Sequence, residues 1–157
     1  MVKIYFDPVK GHGLMAVKKI KKGDFVVWYE GKLIKPTKIA KIDKIKSRNS
    51  VYDFESEHGI ILVDRPYHFS HYINDALNPD GLIKSIQSYN VKFKIRKRFD
   101  SIRYFNSYWP CFIAVRDIEP GEPIETFYGP GYWLNSLDAN IYNENLLDTF
   151  DKYTLDF

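Results

Sequence analysis

Apolar residues in this chain come in runs of four to six, and a turn residue closes each run. Val2-Lys-Ile-Tyr-Phe6 stops at Asp7-Pro8. Leu14-Met-Ala-Val17 gives way to Lys21-Lys22-Gly23-Asp24, and Phe25 to Tyr29 is bent at Gly31. Val51–Phe54 and Ile60–Val63 flank Glu57-His-Gly59, and Phe112–Val115 runs into Glu119-Pro-Gly-Glu122. Gly11-His-Gly13, Asn78-Pro-Asp-Gly81 and Gly129-Pro-Gly131 read as further turns. β-branched and aromatic runs of this length, closely spaced and broken by Gly and Pro, predict a mainly β fold without βαβ units. Residues 82–108, long, basic and aromatic, read as a hairpin. Helix is expected over 37–46, where Ile39, Ile42 and Ile45 recur behind the N-cap candidate Thr37, and around 143–152.

At 157 residues the chain is the size of one domain. No apolar run approaches the roughly 18 residues that span a bilayer, so no membrane partner is expected. The N-terminus lacks the apolar core of a signal peptide, and one cysteine, Cys111, cannot build a disulfide framework or a Cys-rich zinc site. The expected location is intracellular.

Charge is divided unevenly. Residues 1–50 carry 13 Lys and Arg against 4 Asp and Glu, a net of +9; residues 84–104 carry 7 against 1, a net of +6. Residues 53–80 carry 1 against 6, a net of −5, and residues 134–157 carry 1 against 5, a net of −4. The basic stretches read either as a solvated face or as a nucleic-acid or nucleosome contact. An acidic stretch lining a groove would attract a basic peptide.

Common catalytic signatures are missing. There is no P-loop, no dinucleotide-binding Gly-x-Gly-x-x-Gly after a strand, no nucleophile elbow and no His-Glu-x-x-His. His68 and His71 stand three apart with no evident third ligand, so no metal site is expected, and Cys111 reads as core.

Three segments stand out together. They are Lys10-Gly-His-Gly-Leu-Met-Ala16, then Phe69-Ser-His-Tyr-Ile-Asn-Asp-Ala-Leu-Asn-Pro79, then Ile113-Ala-Val-Arg-Asp-Ile-Glu-Pro-Gly-Glu122 running on to Phe127-Tyr-Gly-Pro-Gly-Tyr-Trp133. In this order they resemble the SET domain of protein-lysine methyltransferases, small stand-alone and virus-encoded members included, over residues 3–133. The resemblance implies small curled β-sheets with the Asn74 segment threaded past the C-terminal segment in a pseudoknot. It divides the chain into a domain over 1–133, with a basic insertion near 82–108, and an acidic aromatic tail over 134–157 packing on it.

The implied cofactor is S-adenosylmethionine, held by Gly11, His12, Gly13, Leu14, Asn74, Asp75, Tyr128 and Trp133. The implied substrate is a lysine in a channel formed by Tyr29, Tyr52, Tyr132 and Thr126, with Tyr128 as the catalytic residue. Core packing is the other reading of Tyr52 and Tyr132. Methyl transfer from a sulfonium to an amine needs no protein nucleophile, because the neutral lysine is one. A free lysine has a pKa of about 10.4, and an apolar channel beside a positive sulfonium lowers it. Orientation supplies much of the rate.

Departures from the family pattern matter. Asp75 stands where a His is usual, which threatens a hydrogen bond to the cofactor or in the pseudoknot, and Trp28 replaces a common Glu. Thr126 stands where Phe or Tyr commonly influences how many methyls are added. The expected partner is a basic protein, a histone tail, in the nucleus, with nucleosomal DNA against 84–104 and a homodimer as one way to close the channel. The alternatives are a catalytically degenerate SET module that binds a protein or nucleosome, supported by Asp75, and methylation of a non-histone protein.

Overall fold

The computed structural model describes residues 1–34, 54–56, 58–63, 66, 68–76, 89–100 and 105–128. The strands among them are β1 (Val2–Asp7), β2 (Gly11–Ala16), β3 (Phe25–Trp28), β4 (Lys32–Ile34), β5 (Phe54–Ser56), β6 (Gly59–Leu62), β7 (Asn74–Asp75), β8 (Val91–Asp100), β9 (Phe105–Ala114) and β10 (Pro123–Thr126). One short 3-10 helix covers Phe69–Tyr72. The mainly β fold expected from the short apolar runs is thus present. The helices expected over 37–46 and 143–152, the turns at 78–81 and 129–131, and residues 51–53 lie outside the described residues.

Three small sheets make up the fold, in the orders β1-β2-β10-β7, β3-β9-β8 and β4-β6-β5. In the first sheet β1 and β2 are antiparallel, with Tyr5 opposite Gly13 and Asp7 opposite Gly11. The turn expected at Gly11–Gly13 lies instead just ahead of it. Asp7 Oδ1 accepts the amides of Val9 at 2.8 Å and Lys10 at 2.9 Å, so Asp7-Pro8 supply the turn chemistry and both glycines join the ladder. β10 pairs antiparallel with β2 and parallel with β7, where Glu125 faces Asn74 and Thr126 faces Asp75.

β8 and β9 pair antiparallel along the described part of the basic segment, as the expected hairpin would, but the end of this ladder nearer Val91 and Ala114 is core. Val91, Trp109, Cys111 and Phe112 are buried. β9 also carries β3 on its other edge, with a register shift between Phe25 and Val27. Pro110 sits where that pairing ends. It has no amide to offer, and its carbonyl accepts the Tyr29 amide at 3.0 Å.

Phe112 is the hub of an aromatic cluster. Its ring lies 4.1 Å from Phe93, and the Tyr29 ring meets both edge-on at 5.7 and 6.3 Å. Leu14, Ile20, Ile118 and Ile124 fill the core beneath, with Ile20 and Ile118 exchanging backbone bonds of 2.9 and 2.8 Å.

Buried polar groups join the sheets. Asn90, fully buried, accepts the Glu125 amide at 2.9 Å and donates to the Pro123 carbonyl at 2.6 Å, so its amide side chain acts as a short strand against β10. Arg98 donates to Glu30 at 2.8 Å, and its guanidinium lies 5.2 Å from the Trp28 ring and 5.5 Å from the Trp109 ring. Trp28, which departs from the family's usual acid, therefore faces a cation that is already paired.

Truncating the hub should be costly. Phe112→Ala should lower unfolding free energy by about 3 to 5 kcal/mol, whereas Phe99→Ala, at a ring 74% exposed, should stay within about 0.5 kcal/mol. Denaturant unfolding of the two variants tests this.

Candidate functional site

The glycine strand β2, the β7 strand and the end of β10 meet along one edge of the first sheet. Gly13 lies opposite Tyr5, and a Cβ there would stand 2.6 Å from Tyr5 Cε1 and 3.0 Å from the Asn74 amide nitrogen. Only glycine lets β2 lie this close to both. Gly11, with φ of +76°, adopts a backbone conformation that L side chains avoid. Asn74 Nδ2 donates to the His12 carbonyl at 3.3 Å, which binds β7 to β2 directly. No described residue donates to Asn74 Oδ1.

Tyr128 follows β10 and is fixed twice. Its amide donates to Asp75 Oδ2 at 2.6 Å, and its hydroxyl donates to the Ile73 carbonyl at 2.7 Å. The residue as a whole is 38% exposed. Asp75, 6% exposed, thus keeps a hydrogen bond across the knot in the position where the family usually has His. Of the bonds that this departure threatened, one between these two segments is made, by a carboxylate accepting a backbone N–H.

Other expected site residues fall into distinct settings. Leu14 is fully buried, with Ile4 of β1 opposite it on one side and Ile124 of β10 on the other. The His12 ring packs edge-on against Phe6 at 5.6 Å and Tyr72 at 6.1 Å. Thr126 is fully buried opposite Asp75, and its hydroxyl has no partner among the described residues. Tyr29 is 7% exposed and packs on His71, with ring centroids 5.2 Å apart; it stands in the core behind the Ile73 segment. Tyr52, Tyr132 and Trp133 lie outside the described residues.

Sequence reasoning missed two charged residues in this arrangement. Lys10 Nζ donates to the Asp75 carbonyl at 2.8 Å and to Glu125 Oε1 at 2.6 Å, with side chains only 15% and 14% exposed. The partners are 115 residues apart in sequence, beyond any local periodicity.

It also missed the histidine support under Ile73. His71 Nε2 donates to the Glu30 carbonyl at 2.6 Å, and its Nδ1 accepts the His68 amide at 3.3 Å. His68 Nδ1 accepts the Ser70 amide at 3.3 Å. These nitrogens are occupied by protein groups, and among the described residues no cluster of three His, Cys, Asp or Glu could hold a metal. Nor does any described helix have the length and apolarity to cross a membrane.

The site is a crossing of three distant segments on a β scaffold, with the Gly13–Asn74 contact on one side and an anchored tyrosine on the other. Residues 11–129 match the family model described as SET domain, and the chain belongs to that family.

The chain is similar to the N-lysine methyltransferase KMT5A-A of Xenopus laevis, 26% identical over 144 residues, covering 92% of this chain and 40% of the relative. It is also similar to the N-lysine methyltransferase KMT5A of Xenopus tropicalis, 28% identical over 136 residues, covering 87% and 38%. The chain therefore spans about two fifths of the length of these curated relatives. CpSET8 from Cryptosporidium matches with a TM-score of 0.58 at 25% identity, over 82% of this chain and 57% of that one. A Chaetomium thermophilum Polycomb Repressive Complex 2 bound to S-adenosylmethionine matches with a TM-score of 0.56 at 26% identity, over 82% and 15%.

Two outcomes are expected. Asp75→Ala removes the carboxylate that accepts the Tyr128 amide and should cost about 1.5 to 3 kcal/mol, while Asp75→Asn, which keeps an acceptor, should cost less. Denaturant midpoints separate the two.

The second concerns pH. Burial holds both His71 and His68 below the ordinary 6.5; the Glu30 carbonyl bond opposes this at His71, and the Glu30 carboxylate opposes it at His68. The unfolded chain then binds more protons than the folded one below about pH 6.5, so this part of the stability is complete above that pH and lost as pH falls through the folded values. Melting temperature should fall between about pH 7 and 5.5, and His71→Gln should make that slope shallower.

Proposed function

We propose that the protein is an S-adenosylmethionine-dependent protein-lysine methyltransferase acting on a basic protein, a histone tail, in the nucleus. The observation that carries this reading is Tyr128, anchored through its amide to Asp75 and through its hydroxyl to Ile73, beside the Gly13–Asn74 contact. Family membership and the methyltransferase names of its relatives support it.

The residues fit the cofactor. Gly13 lets β2 lie directly against Asn74, and no described residue donates to Asn74 Oδ1, so that oxygen can accept from a ligand ammonium. We assign Gly11, His12, Gly13, Leu14, Asn74, Asp75, Tyr128 and Trp133 to cofactor binding. When bound, S-adenosylmethionine supplies a methyl group on a positively charged sulfur.

The chain's task is then to aim and to desolvate. The Tyr128 hydroxyl commits its hydrogen to Ile73, so toward an incoming amine its oxygen acts as acceptor. We assign Tyr128 the catalytic role, and Tyr29, Tyr52, Tyr132 and Thr126 the lysine channel. Tyr29 would act from the core, by supporting the wall. Apolar surroundings disfavour the charged ammonium, so the lysine sheds its proton to solvent more readily there. Orientation accounts for the rest of the rate.

We read residues 1–133 as the domain and 134–157 as a tail packing on it, with tail or second subunit closing the channel. Lys94, Arg96 and Lys97 on β8 are exposed and form no ion pair with a described residue, which suits contact with nucleosomal DNA. The degenerate-module reading rests on Asp75, but the Tyr128 amide donates to that carboxylate, so the residue still ties the two segments together, which favours the catalytic reading.

Labelled cofactor incubated with a histone mixture should give a modified lysine mapped by mass spectrometry; absence of saturable cofactor binding would sink the reading. Tyr128→Phe should lower transfer on the order of a hundredfold or more while cofactor titration still saturates.

A further inference from the structure

We propose that Lys10 is a positioning residue, whose ammonium group fixes the distance between the glycine strand, the Asn74–Asp75 strand and the Tyr128 segment. The inference rests on the methyl-transfer reading above and assigns within it a role to a residue outside the expected site.

Lys10 closes the turn before β2, and its backbone is already held by the Asp7 carboxylate at 2.9 Å. Its side chain leaves the glycine strand and ends on two others. Nζ reaches the backbone carbonyl of Asp75 at 2.8 Å and the carboxylate of Glu125 at 2.6 Å. Asp75 follows Asn74, which lies against Gly13, and Asp75 Oδ2 holds the Tyr128 amide. Glu125 is three residues before Tyr128 and pairs with Asn74 in the parallel ladder.

One cation therefore touches both sides of the crossing on which donor and acceptor would be aligned. The described lysine–carboxylate pairs differ in this respect. Lys19 bridges Asp117 and Glu119 with its side chain 48% exposed, in a setting where an ion pair does little. The Lys10 ammonium is mostly withdrawn from water and bonds a backbone carbonyl, whose position a side-chain change on Glu125 cannot replace.

A simple neutralising role and a positioning role predict different behaviour. If Lys10 only balances Glu125, removing both charges restores everything, because a buried pair replaced by apolar groups is often neutral or stabilising. If Lys10 positions the crossing, removing both restores the fold but not the alignment.

The test compares wild type, Lys10→Met, Lys10→Met/Glu125→Leu and Lys10→Arg in the full chain. Measurements are melting temperature, cofactor titration and steady-state transfer to a histone mixture. Lys10→Met is expected to lose stability. The double variant is expected to melt within a few degrees of wild type, to keep KM for cofactor and protein within about twofold, and to lose kcat by about tenfold or more, since small misalignments of reacting groups are costly. Lys10→Arg, with a wider planar fork, is expected to recover stability but not kcat. A double variant with wild-type kcat overturns the positioning role and leaves the methyl-transfer reading standing. A wild-type protein that neither binds the cofactor nor transfers methyl overturns both.

Discussion

A parallel ladder only two residues long, β7 on β10, holds the candidate site together. It joins positions about 50 residues apart, and closing such a loop costs about 3.5 kcal/mol of chain entropy beyond a constant. Neutral backbone bonds contribute only about 1 kcal/mol each, so a ladder this short cannot hold the crossing alone. Bonds with a charged partner are worth more, about 1.5 to 3 kcal/mol. The chain places two of them here: Asp75 Oδ2 to the Tyr128 amide and Lys10 to the Asp75 carbonyl. The crossing is therefore a polar construction on an apolar floor of Leu14, Ile124 and Ala76.

The same economy appears wherever the small sheets meet. Apart from the ten-residue β8–β9 ladder, the described strands are two to six residues long and offer few ladder bonds, so side chains complete the pairing. Asn90 supplies a missing strand to β10, His71 binds the Glu30 carbonyl, and Trp109 Nε1 binds the Tyr29 carbonyl at 2.6 Å. Arg98 joins the outer part of the hairpin to Glu30 between two indole rings. Each is a buried polar group with a named partner, the condition under which burial of polarity is tolerated. Thr126 Oγ1 breaks the pattern among the described residues, and it does so next to Asp75 in the crossing itself.

How legible the fold was in the sequence follows from the range of the interactions that make it. β1, β3 and β6 follow their apolar runs to within a residue or so, because alternation and turn residues are local signals. β9 did not: the run read as Phe112–Val115 is the end of a ten-residue strand that starts at Phe105 and pairs with β8 through Pro110, a residue with no amide to mark it as strand. Gly11–Gly13 read as a turn because glycine has several uses; close approach of Tyr5 and Asn74 required it here, and both neighbours come from other strands. The site's outline, β2 with Asn74 and Tyr128, was legible through family resemblance. Lys10 with Glu125, and Tyr128 with Ile73, were not, since chain segments that meet only on folding leave no mark in local spacing.

Position 75 accepts a backbone N–H in this chain, and a carboxylate does this without choosing a tautomer. The residue serves two neighbours with two different groups. Its side-chain Oδ2 holds the Tyr128 amide, and its main-chain carbonyl takes the Lys10 ammonium. The carbonyl contact depends on where the backbone runs and not on which side chain stands there. The Tyr128 contact does depend on the side chain, and an acceptor is what it needs. One residue of a two-residue strand therefore ties the turn before the glycine strand to the segment that carries Tyr128.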